Sequence, residues 1–326
     1  VLQGAAAVMA VPSVAPSRIP DIVNVFYYPE SKPVMIAKGL GWFQDSAKAK
    51  LNWMEAASGA DMIAAIAAGN ADIGFGIGCG PASVGLNQGI PCRVIAIADT
   101  VGEGEDLVVR KAAKIARIAD LKGKRIAAPF GSTSHFRLLG LLKVLELAPG
   151  DVVLVDLKPD PMVSAWQRGD IDAAYVWNPA RSRLLAAGGE AVESFREIDA
   201  AGYILADLII GRGLFLDQYP DAVAGLLKAY GRALEMLKAK PTEAAELIAK
   251  QIGATIDVVQ ADLGDYDFPP LKQQLMPAWL GPPGKGGKFA AVLKRWADFE
   301  IDQQLLRSEA PGFEKFIDTS VLQKAV

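Results

Sequence analysis

The sequence predicts an α/β protein of two similar lobes, each a mainly parallel sheet flanked by helices. Two observations carry this expectation. The first is an internal repeat: Asp61-Met62-Ile63-Ala64-Ala65-Ile66-Ala67-Ala68-Gly69-Asn70-Ala71-Asp72 matches Pro161-Met162-Val163-Ser164-Ala165-Trp166-Gln167-Arg168-Gly169-Asp170-Ile171-Asp172 at an offset of 100 residues, with Met, Ala, Gly and Asp at equal places. The second is the same alternation of strand and helix signals ahead of each copy, the pattern that builds a parallel sheet covered by helices.

Taken in order, Ile22–Tyr28 and Lys124–Ala128 are apolar runs closed by Pro29 and Pro129, and each reads as a buried strand. Helices are expected at about Pro33–Phe43 and Ser134–Leu147, followed by strands at Lys50–Glu55 and Val152–Leu157. The repeated segments then read as short helices, each stopped by a glycine (Gly69, Gly169), the residue that adopts the left-handed conformation without strain. Strands Ile73–Ile77 and Ala173–Trp177 complete two β-α-β-α-β units. A further strand is expected at Ala206–Gly211, and helices after Pro220, over Ala244–Gln251 with Thr242 as cap and Gly253 as stop, and near Phe289–Leu306. The chain is expected to cross to the second lobe near 101–106 and to return near 200–207. Residues 21–102 with 206–326 then form the first lobe with its C-terminal helices, and 103–205 the second. Residues 1–20 read as the remnant of an export leader or as a disordered flank.

Length and composition suit this plan. A chain of 326 residues, 51% hydrophobic and 22% charged, accommodates two globular cores. A net charge of −3, with both signs interspersed, provides no basic field for nucleic acid. One histidine and two cysteines exclude sites built from several imidazoles or thiolates, and no apolar run approaches the length of a membrane span. Cys79 and Cys92 are expected to stay unpaired, because the helix between them separates one sheet edge from the other. Neither Gly74–Gly80 nor Gly281–Lys288 carries a complete nucleotide-binding fingerprint, so no cofactor is expected.

In open α/β sheets ligands bind beyond the carboxyl ends of the strands, which directs attention to four chain segments. After the first strand come Tyr28, Glu30 and Lys32; the last two could equally be solvated. Gly74-Phe75-Gly76-Ile77-Gly78-Cys79-Gly80-Pro81 allows close backbone approach to a ligand, with Pro81 at the first position of a helix. Phe130-Gly131-Ser132-Thr133-Ser134-His135 places hydroxyls at a helix N-terminus, where free N–H groups and the helix dipole favour an anion, although simple capping by Ser132 or Thr133 gives the same pattern. Trp177 closes a strand and is either core or a face for a cation. Asp207 lies inside the apolar run Ile204–Ile210 and needs a positive partner, from the ligand or otherwise. His135 reads as structural or ligand-donating, because neighbours on one helical turn rarely form a catalytic pair.

Several of these segments resemble the nitrate/sulfonate/taurine family of ABC-transporter substrate-binding proteins. The resemblance is densest in Asp120–Phe130, Ser132–Phe136 and Ala165–Ala180, with weaker likeness at Ser58-Gly59-Ala60 and Leu107-Val108-Val109. It implies a type II periplasmic-binding fold, export from the cytoplasm, and capture of a small sulfonate, taurine above others, for delivery by a monomer to an ABC permease. Carried across position by position, the sulfonate would lie against Ser132, Thr133 and the Cys79-Gly80 turn, and an ammonium against Trp177 and Asp207. Two positions depart from the family: Lys32 stands where it has an acid, and Cys79 where it has a hydroxyl. Another small anion or an alkanesulfonate is the alternative ligand. An enzyme of the thiamine-pyrimidine synthase type on the same fold is the rival reading, and it calls for a cysteine-rich motif absent here.

Overall fold

The structure, a computed structural model, describes residues 19–102, 104–115, 118–192 and 205–326. Most of the leader segment, and residues 200–204 of the expected return crossing, lie outside the described residues. The chain forms two sheets. The larger, in the order β11-β4-β10-β3-β1-β2, contains β1 (Ile22–Tyr27), β2 (Lys50–Glu55), β3 (Ile73–Gly78), β4 (Cys92–Val101), β10 (Ala206–Arg212) and β11 (Tyr266–Asp267). The smaller, in the order β7-β6-β8-β5-β9, contains β5 (Glu105–Arg110), β6 (Arg125–Ala128), β7 (Val153–Asp156), β8 (Ala173–Trp177) and β9 (Gly189–Val192).

The internal repeat reappears as the same parallel trio in each sheet. β1 lies between β2 and β3, and β6 between β7 and β8, with Val25 opposite Ile73 and Ile126 opposite Ala173. The helices of the repeat, α3 (Gly59–Ala67) and α6 (Pro159–Arg168), are followed by Gly69 (φ 76°) and Gly169 (φ 81°), both left-handed. The repeated aspartates do the same work twice. Asp72 accepts a hydrogen bond from the Asn24 backbone N–H at 2.9 Å, and Asp172 from that of Arg125 at 2.9 Å, so each ties its loop to the central strand of its trio.

Each trio is extended by antiparallel strands, so both sheets are mixed. β10 enters between β3 and β4, antiparallel to both, and β5 pairs antiparallel with β8 and β9. The chain enters the smaller sheet through β5 and leaves it before β10, so these strands run against their neighbours. Leu107 and Val109 pack on one face of the smaller sheet with Tyr175, while Val108 packs on the other with Trp166 and Val176. Both faces are therefore buried, as helices on both sides require.

Helix boundaries depart from expectation at three places. The helix expected at Pro33–Phe43 is two, α1 (Val34–Gly39) and α2 (Trp42–Ala47), broken where Gly41 takes φ 70°. Helix α4 (Cys79–Asn87) starts two residues before Pro81, which sits in its first turn rather than at its first position. That site tolerates proline because the opening N–H groups have no helical acceptor. The helix capped in expectation by Thr242 starts at Pro241, with Lys240 at the cap. Helix α5 (Thr133–Val144) follows β6, and α7 (Ala180–Ala186) follows β8. After β10 the chain forms α8 (Gly213–Gln218), α9 (Pro220–Ala239), α10 (Pro241–Ile252), α11 (Ile256–Gly264) and α12 (Leu271–Gln274), then α13 (Phe289–Asp302) and α14 (Ser320–Ala325). No described helix is long and apolar enough to cross a membrane. Cys79 and Cys92 are both buried free thiols: Cys79 opens α4 just past β3, Cys92 begins β4, and β10 lies between those two strands.

Candidate functional site

The parallel trios point their carboxyl ends at one another. β1 delivers Tyr28 and Glu30, β3 delivers Gly76 and Gly78, β6 delivers Ser132 and Thr133, and β8 delivers Trp177. Asp207 arrives differently. Because β10 runs antiparallel to β3, its first residues lie at the end of β3, with Asp207 opposite Gly78. These side chains and glycines line one cleft between the two sheets, which also takes in Glu105 and Tyr266.

Part of the lining is a helix N-terminus with two hydroxyls. Ser132 caps α5, its hydroxyl accepting the His135 backbone N–H at 3.3 Å, and Thr133 is the first helical residue. The free N–H groups of this 12-residue helix and the positive end of its dipole favour negative charge there. Gly78 permits the approach of the two halves, since a β-carbon at that position would overlap Thr133 Oγ1.

The rest of the lining is acidic and aromatic. Glu30 is 7% exposed and lines the cavity together with Trp177. Burial, reinforced by Asp207 and Asp99 and opposed by Lys32, lifts its pKa to about 8. The Tyr28 and Trp177 rings lie with centroids 6.1 Å apart. Glu105, wholly enclosed, is raised to about 7 by burial, although Arg137 and Ser134 oppose the shift.

Lys32 organises the space behind this lining. Its ammonium donates to Asp99 at 2.8 Å and to Asp207 at 3.1 Å, and lies 3.6 Å from the centre of the Tyr266 ring. Burial alone would lower its pKa; Asp99 and Asp207 overcome this and hold it well above the usual ammonium range. Burial also raises the Asp99 carboxyl, against the pull of Lys32. A buried charge without a partner costs several kcal/mol, so lysine and aspartates hold one another in place. Lys32 is therefore neither solvated nor idle, and Glu30 is likewise enclosed.

Of the residues singled out from sequence, Tyr28, Glu30, Ser132, Thr133, Trp177 and Asp207 meet at the cavity. Cys79, Gly80 and His135 do not line it. The Cys79 thiol donates to the Ala206 carbonyl at 3.1 Å, and burial pushes its pKa far up. Gly80 packs under Phe136, where a β-carbon would strike the ring. His135 stacks on Phe130 with centroids 4.3 Å apart and accepts the Gly131 N–H on Nδ1 at 3.4 Å. Burial lowers its pKa to about 4, so it is neutral at ordinary pH. Asp99 and Glu105 escaped the sequence reading. Asp99 carried the signal that identified Asp207, an acid at the end of the apolar run Val94–Ala98.

Around the cavity, side chains from the two halves join. Asp262 of α11, 2% exposed, accepts hydrogen bonds from Ser31 at 2.9 Å and from Ser182 of α7 at 3.0 Å. Asn178 donates to Asp265 at 3.0 Å, and Lys158 pairs with Asp61 at 2.8 Å across the surface.

Comparison with known proteins accords with this geometry. Residues 28–244, more than half of the chain, match the model of the family described as NMT1/THI5 like, and the chain belongs to that family. It is 39% identical over 143 residues to the taurine-binding periplasmic protein of Escherichia coli, a match covering 44% of this chain and 44% of that protein. The match thus spans less than half the length of that relative. Among solved structures, the periplasmic aliphatic sulphonate binding protein SsuA from Escherichia coli superposes with a TM-score of 0.73 at 20% identity, over 93% of this chain and 99% of that one. The desulfurization enzyme DSZB superposes with a TM-score of 0.63 at 18% identity, over 94% and 99%. At these identities the two structures share the fold with this chain.

Proposed function

We propose that this member of the NMT1/THI5-like family is the extracytoplasmic substrate-binding protein of an ABC importer and captures a small sulfonate, taurine first, in the cavity between its two halves. The observation that carries the reading is the chemistry of that cavity. Its lining combines the hydroxyls of Ser132 and Thr133 at the N-terminus of α5 with the Glu30 carboxyl and the rings of Tyr28 and Trp177. A short zwitterion with an anionic head and an ammonium tail matches that lining. The name of the taurine-binding relative supports the ligand and the periplasmic location. Residues 21–102 with 206–326 and residues 103–205 act as two lobes that close over the ligand, with Asp262 and Asp265 as the clasp. Hinge closure of this kind traps a ligand between rigid units, and the protein works as a monomer.

Binding occurs without turnover. The one imidazole of the chain and the buried Cys79 thiol both face away from the cavity, so Ser132 and Thr133 have no histidine or thiolate beside them to act as base or nucleophile.

A thermal-shift panel of taurine, hypotaurine, isethionate, alkanesulfonates, sulfate and nitrate tests the proposal. A ligand at 100 times its Kd stabilises the fold by roughly 2.7 kcal/mol. Taurine should raise the melting temperature most and emerge unchanged after incubation. A panel on which no sulfonate shifts the transition refutes the assignment.

A further inference from the structure

We infer that Lys32 determines specificity: it is a built-in ammonium that occupies Asp99 and Asp207, leaves Glu30 as the carboxylate for a ligand's cation, and so admits sulfonates that carry no amine. The inference deepens the sulfonate reading and rests on it.

The geometry is specific. Lys32 Nζ sits between Asp99 Oδ1 and Asp207 Oδ2, at 2.8 and 3.1 Å, with the face of Tyr266 3.6 Å away. An ammonium flanked by two carboxylates and an aromatic face is in the environment that a ligand ammonium would seek. That environment exists here and is already filled from within the chain. Asp207 lines the ligand cavity, whereas Lys32 and Asp99 line the adjoining pocket with Val34, Phe75 and Tyr230. The internal cation thus approaches Asp207 from behind the ligand cavity and neutralises it there. Two consequences follow. An amine-free sulfonate leaves no unpaired Asp207 when it binds, because Lys32 serves that carboxylate. The ammonium of taurine gains its carboxylate contact from Glu30, which faces the same cavity beside Trp177.

The test is calorimetric titration of taurine and isethionate, which differ in carrying an ammonium or a hydroxyl. Four proteins are compared: the wild type, Asp207→Asn, Lys32→Met/Asp99→Asn, and the triple variant that adds Asp207→Asn to the last. The paired replacement removes one buried charge of each sign and leaves Asp207 free to take a cation; circular dichroism and a cooperative melt establish that it folds. In the wild type, Asp207→Asn should change the taurine-to-isethionate affinity ratio less than about threefold. In Lys32→Met/Asp99→Asn that ratio should rise about tenfold, the effect of one added charge-assisted contact, and the triple variant should lose the gain. If Lys32→Met/Asp99→Asn binds sulfonates with an unchanged ratio, or cannot fold while Asp207→Asn alone lowers the wild-type ratio tenfold, Lys32 is a structural ion-pair partner and the inference is overturned with the sulfonate reading intact. A wild-type protein that binds neither ligand overturns both.

Discussion

Taurine affinity should rise steeply between pH 6 and pH 8, and Glu30→Gln should remove the rise. Burial, the largest influence, lifts the Glu30 carboxyl from 4.5 to about 8, with Asp207 and Asp99 adding to the shift and Lys32 and Trp177 opposing it. The ligand-free protein therefore holds a proton on Glu30 over most of this range, and an ammonium is held well only after that proton leaves. With a pKa of about 8, the carboxyl is about 1% ionised at pH 6 and about half ionised at pH 8, so affinity should increase about fifty-fold. Isethionate, with a hydroxyl in place of the ammonium, gains nothing from ionised Glu30, and because Glu105 in the same cavity ionises near pH 7 its affinity should not rise and should fall toward pH 8. The sign also appears in stability. The folded state binds this proton more tightly than the unfolded chain does, so Glu30 makes the ligand-free protein less stable as pH rises from about 4.5 to about 8. Titration calorimetry of both ligands at pH 6, 7 and 8, in buffers of different ionisation enthalpy, measures the affinities and the proton released. A taurine affinity that is flat with pH, with no proton released at pH 7, would refute Glu30 as the counter-ion.

Two further outcomes concern the hydroxyls of the lining and the approach of the halves. Ser132→Ala with Thr133→Val should weaken every sulfonate alike, since hydrogen bonds to a charged group contribute about 1.5–3 kcal/mol each; competition binding with taurine, isethionate and an alkanesulfonate checks that the ratios are preserved. Gly80→Ala places a methyl group against the Phe136 ring where α4 meets α5, and should lower ligand affinity at least tenfold while leaving far-ultraviolet circular dichroism unchanged; small-angle scattering should then show a more open particle with saturating taurine than the wild type gives.

The sequence by itself determined the repeated architecture and the ends of the parallel strands. Apolar periodicity, the left-handed glycines after α3 and α6, and the hydroxyls opening α5 are properties of segments about ten residues long. Each is written in neighbouring positions, which is why β1, β3, β6 and β8 and the residues just past them were legible. The tertiary structure decided everything that depends on distant partners. It inserted β10 between β3 and β4, which put Asp207 beside the cavity and made the larger sheet mixed. It brought Lys32 to Asp99 and Asp207, 67 and 175 residues away along the chain, converting residues that look solvated into a buried ion cluster. It also drew the Cys79 thiol to the Ala206 carbonyl, 127 residues away along the chain. A residue's place along a strand or helix follows from local pattern. The direction in which it spends its charge follows from the dielectric and the partners around it, and those exist only once the two halves are folded against each other.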